Sequence, residues 1–71
     1  MTLGRYLSSL TKPELERIKE ELNLTDDEEM VFTHLSKGRS KVAVADRCMI
    51  SISTVDNRIR SINTKLSRIK K

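Results

Sequence analysis

Seventy-one residues suffice for one small domain, which buries only about 60% of the surface its unfolded chain exposes. With one Phe, one Tyr and no Trp, the core must be aliphatic. A single Cys and a single His exclude an internal disulfide and an ordinary zinc cluster. No stretch approaches the roughly 20 apolar residues of a membrane span, and Met1 to Leu10 lacks the long apolar run of a secretory signal, so a soluble cytoplasmic protein with no membrane partner is expected. The net charge of +4 hides an asymmetry. Up to Leu35 there are four basic and eight acidic residues, and after it ten basic and two acidic ones. Such a split is expected when one half meets a polyanion and the other does not.

In chain order, Leu3, Tyr6, Leu7 and Leu10 have helical spacing, weakened by Gly4. Thr11 with Glu14 three residues on, and Pro13 in the first turn, predicts a capping-box helix to about Leu22 with an apolar face of Leu15, Ile18 and Leu22. Thr25 and Glu28 repeat the device, and Asp26, Asp27, Glu28 and Glu29 fall where the helix dipole favours acids. This helix buries Val31, Phe32 and Leu35 and ends at Gly38. Ser40 caps the next, which buries Val42 or Ala43, Val44, Ala45 and Cys48. A turn at Met49 and Ile50 leads to Ser51, the cap of a last helix running to Leu66. Nothing reads as a strand. The expected fold is therefore all-α: a tri-helical helix-turn-helix core over residues 24–71, extended at its N-terminus by helices in residues 1–23.

The last helix has two faces. At about 100° per residue, Val55, Ile59, Ile62 and Leu66 share one narrow sector, while Ser53, Asn57, Arg60 and Thr64 share a sector of about 60° on the opposite side. Hydroxyls, an amide and a guanidinium are the groups that pair with base edges in a major groove: Arg with guanine, Asn with adenine, Ser or Thr with several.

From Leu24 to Leu66 these residues resemble the LuxR/GerE family of bacterial transcriptional regulators. The likeness is carried by Leu24, Thr25 and Glu28, the Gly38-x-Ser40 step, buried Ala45, the run Ile50-Ser51-x-x-Thr54-Val55, and then Ile62, Lys65 and Leu66. The segment is also similar to region four of RNA polymerase sigma factors, and Thr54-Val55-Asp56-Asn57 before a basic helix resembles sporulation-type sigma factors. The resemblance implies that Ser53 and Thr54 lie near phosphates, that Asp56, Asn57 and Arg60 face bases, and that Lys65 and Ser40 or Lys41 contact backbone. With Ser51, Arg58, Ser61 and Thr64, these make up the expected interface with double-stranded DNA. Two departures stand out. The family often has Lys where this chain has Asp56, and a carboxylate there repels phosphate while accepting from a cytosine amino group. The family's dimerisation helix also has no counterpart before Lys71.

Val55, Ile59, Ile62, Leu66 and Ile69 are spaced 4, 3, 4, 3, a heptad seam as well as a core face. Either Leu66 and Ile69 cover the N-terminal helix of the same chain, or they pair with a second copy in a weak homodimer that DNA strengthens. The remaining singular residues read blandly. Cys48 is a small core hydrophobe, His34 is half-buried and structural, Asp26 to Glu29 serve capping, and Glu14, Glu16, Glu20 and Glu21 with Arg17 and Lys19 form a solvated face. No nucleophile, base and metal set is present, so neither catalysis nor a cofactor is expected. Two functions stay open: a transcriptional regulator that reads duplex DNA, and a sigma-region-four-like interaction module that docks on RNA polymerase or a separate signalling protein through the acidic half.

Overall fold

A computed structural model of the chain describes residues 3–69. Five helices follow one another: α1 (Leu3–Ser8), α2 (Lys12–Leu22), α3 (Asp26–Ser36), α4 (Lys41–Cys48) and α5 (Ile52–Ile69). There is no strand among the described residues, and the protein is a small all-α domain.

Each helix start has a local cause. Thr11 donates its backbone N–H to Glu14 Oε1 at 2.9 Å and its hydroxyl accepts from the Glu14 N–H, and Thr25 and Glu28 repeat the exchange. Both satisfy amide donors that a helix N-terminus leaves without an internal partner. Ser40 caps α4 by accepting from the Ala43 N–H at 3.3 Å, and Ser51 caps α5 by accepting from the Thr54 N–H at 3.1 Å. Helix α3 stops at Ser36. Gly38 follows one residue beyond the Lys37 cap with φ of 83°, the left-handed backbone that glycine adopts without strain.

The connection between α4 and α5 is only three residues, 49–51. It begins with Met49 in the left-handed region (φ 57°), and the Ile50 N–H reaches back to the Ala45 carbonyl at 3.0 Å. That backbone normally suits glycine, so a methionine there carries strain.

One aliphatic core joins Leu3 and Leu7 of α1, Leu22 of α2, Val31, Phe32 and Leu35 of α3, Val44 and Ala45 of α4, and Val55, Ile62 and Leu66 of α5. Helix α3 packs against α1, α4 and α5, and α2 covers α5. Leu15, Ile18, Cys48 and Ile50 lie half-buried against this core. Val42 is 64% exposed, so Ala43 takes the inward position of that pair. Ile59, expected in the core, is only half-buried, because it sits where α5 turns its flank toward α4. The heptad seam is consumed within the chain: Val55, Ile62 and Leu66 are buried by the protein's own helices, while Ile69 is left 39% exposed. No described helix is long and apolar enough to cross a membrane.

Candidate nucleic-acid interface

Helix α5 presents four different surfaces around its 18 residues. One is the buried core stripe. The outer stripe carries Ser53, Asn57, Arg60 and Thr64, all exposed. Neither Arg60 nor Arg68, one turn or two further along, has a carboxylate partner among the described residues. The Thr64 hydroxyl donates back to the Arg60 carbonyl at 3.0 Å, which leaves its lone pairs outward as acceptors.

The third surface faces the N-terminus of α3, and Glu28 organises it. The residue is 4% exposed. It accepts from the Thr25 backbone N–H at 3.0 Å, from Lys65 Nζ at 2.6 Å and from the Ser61 hydroxyl. Burial would push this carboxyl up, but the hydrogen bonds from Lys65, Ser61 and Thr25, with the charge of Lys65, outweigh it and hold the pKa at about 2. Beside it Arg58 Nη2 lies 3.5 Å from Asp27 Oδ2, and on the other side Lys19 of α2 lies 3.4 Å from Glu29. Asp27, Glu28 and Glu29 in the first turn of α3 thus point in different directions, and each of the three meets a cation from another part of the chain. They do more than complement the helix dipole.

These contacts engage part of the expected DNA-contacting set within the protein itself. Lys65 and Ser61 are turned inward onto Glu28, and Arg58 leans toward Asp27, because positions 58, 61 and 65 lie on the flank that packs against α3 rather than on the outer stripe. Ser40 and Ser51 have their hydroxyls engaged as caps, and Thr54 shares a hydrogen bond of 2.9 Å with Ser51. The charge split along the sequence is therefore partly answered inside the molecule.

The other flank of α5 is open. A groove of about 750 Å³ is lined by Lys41, Asp56, Arg60, Thr64, Ile59, Asn63, Ser67 and Arg68. Four of these belong to the expected set, and Lys41 Nζ is 2.8 Å from Asp56 Oδ1. Asn63, Ser67 and Arg68 were missed, although their spacing signals them: Asn63 and Ser67 repeat Asp56 and Arg60 after two turns, and Arg68 repeats Thr64 after one.

His34 is half-buried as expected. Arg39 Nη1 is 2.7 Å from its Nδ1, and since a guanidinium only donates, the ring accepts there and is neutral. Its pKa is lowered by burial and by the charges of Arg39, Lys37 and Arg47. Among the described residues no group of three or more His, Cys, Asp or Glu is placed to hold a metal ion. No protein-family model, no curated protein and no solved structure matches the chain.

Proposed function

We propose that this protein is a DNA-binding transcriptional regulator of the LuxR/GerE kind that lays α5 in the major groove. The observation that carries this is the outer stripe of α5. It is exposed along its length, carries Arg60 with no carboxylate partner among the described residues, and stands on a helix whose opposite face is locked into the core. Arg60 supplies a fork for guanine O6 and N7, and Asn57 supplies donor and acceptor for adenine N6 and N7, each worth about 1–3 kcal/mol of discrimination. The exposed Lys41 and Arg68 flank the stripe and suit backbone phosphates.

The test is retention on duplex DNA across a salt series, followed by selection of bound sequences from a random pool with the parent, Arg60→Ala and Asn57→Ala. Affinity should fall steeply with salt as counterions are released, and each variant should relax preference at one base pair. A flat salt response, or unchanged preferences in both variants, removes the proposal. A second reading, docking on the transcription machinery, draws on exposed Met30 and Met49, which are 46% and 91% accessible. It predicts polymerase binding that survives Arg60→Ala and is lost on Met30→Ser with Met49→Ser.

A further inference from the structure

Two open grooves meet on the flank of α5 that faces α4. The first is the one lined by Asp56, Arg60 and Arg68. The second, about 450 Å³, runs past Leu3, Arg39 and Ser40 and shares Lys41, Ile59 and Asn63 with the first. Four basic residues line the pair of grooves, and Asp56 is the one carboxylate among the lining residues. It sits on Lys41 at 2.8 Å, with the two side chains 44% and 56% exposed. An ion pair that wet holds its partners loosely, so either can be exchanged for a better one.

We infer that Asp56 is a specificity-determining residue: it occupies Lys41 and keeps that ammonium from the sugar–phosphate backbone unless the duplex offers Asp56 a substitute partner. This rests on the DNA-binding reading above. A non-cognate duplex, held by charge alone, meets a neutral pair and gains nothing from Lys41. A site that places a cytosine N4 amino group opposite Asp56 satisfies the carboxylate, and Lys41 then turns to a phosphate. One side chain thus subtracts a contact from the wrong sequence and returns it on the right one.

The experiment measures binding to a selected site and to a scrambled duplex over a salt series, for the parent, Asp56→Asn, Asp56→Ser, Asp46→Asn and Asp56→Asn with Lys41→Gln. Asp46 is exposed, lies on α4 and lines neither groove, so its substitution adds the same charge elsewhere. Both Asp56 variants should bind the scrambled duplex about threefold or more tightly at low salt, with a log–log salt slope steeper by about 0.9, one extra phosphate. They should not gain on the selected site. Lys41→Gln should cancel the gain, and Asp46→Asn should not reproduce it. Equal gains on both duplexes, an equal gain from Asp46→Asn, or a gain that survives Lys41→Gln would each overturn the inference and leave DNA binding standing. Absence of duplex binding by the parent at low salt would remove both. Thermal melts of the Asp56 variants close to the parent's show that the fold is not what changed.

Discussion

The two flanks of α5 carry similar residues and do different things. On the flank facing α3, Lys65 and Ser61 close on a buried carboxylate. On the flank facing α4, Lys41 and Asp56 meet in the open beside Arg60, which meets no carboxylate among the described residues. What separates them is the partner opposite. Glu28 is buried and accepts from Thr25, Ser61 and Lys65, so its contacts contribute to the fold, whereas the Lys41–Asp56 pair is hydrated and contributes little to it. A lysine on or beside α5 is therefore not in itself a sign of a DNA contact; what stands opposite it decides.

The largest effect expected from breaking this comparison is at the core stripe between the flanks. Ile62 is fully buried, and Ile62→Ala should cost about 2–5 kcal/mol. In a chain this small, chemical denaturation should show little or no folded population remaining. Ile59→Ala, at a half-buried position, should cost well under half of that.

The Glu28 flank comes next. Lys65→Ala leaves a buried carboxylate without its cation. A fully buried pair broken in this way loses about 3–5 kcal/mol, and since Lys65 is 29% exposed the loss should be about 2–3 kcal/mol. Urea midpoints would measure it, and the salt slope of DNA binding should be unchanged.

Acid should reach the same flank. The Glu28 pKa is about 2 in the folded protein against an ordinary 4.5. Folding therefore favours the ionised form. That stabilisation is complete above the unfolded value and is lost as pH falls from there through about 2. It amounts to on the order of 3 kcal/mol, and Glu28→Gln should flatten the acid limb of a stability profile. His34 acts at higher pH in the same direction. Its folded pKa is depressed, so the folded protein holds fewer protons, and stability should decline as pH drops through the ordinary histidine value near 6.5. In His34→Gln that shoulder should vanish while the lower limb remains.

The smallest effect concerns the strained connection between α4 and α5. Met49→Gly relieves a left-handed backbone at a side chain that is 91% exposed, and should raise stability by up to about 1 kcal/mol. A melting temperature that falls would place Met49 in a contact worth more than its strain.

Much of the fold was legible because its signals are local. The capping pairs Thr11–Glu14 and Thr25–Glu28, the serine caps at 40 and 51 and the glycine at 38 mark helix ends within a residue or two, and the 3.6-residue period picked out Val55, Ile62 and Leu66. The roles of Lys65, Ser61 and Arg58 were not legible, since a helical wheel gives an angle but not what stands across from it, and Glu28 and Asp27 lie over 30 residues away in the chain. The heptad spacing was ambiguous for a related reason. A seam and a core face have the same period, and only the packing of α2 over α5 assigns Leu66 inward. Asn63, Ser67 and Arg68 lie outside the sector of about 60° that holds the outer stripe, and it is the groove beside Lys41 that brings them together with it.

The most direct test is to titrate a selected duplex into isotopically labelled protein and follow backbone and side-chain NMR signals. If the outer stripe of α5 reads the duplex, Ser53, Asn57, Arg60 and Thr64 should move most, Lys41 and Arg68 should follow, and Glu28, Ser61 and Lys65 should stay where they are. Shifts centred on Glu28 and Lys65, with the outer stripe still, would contradict that reading.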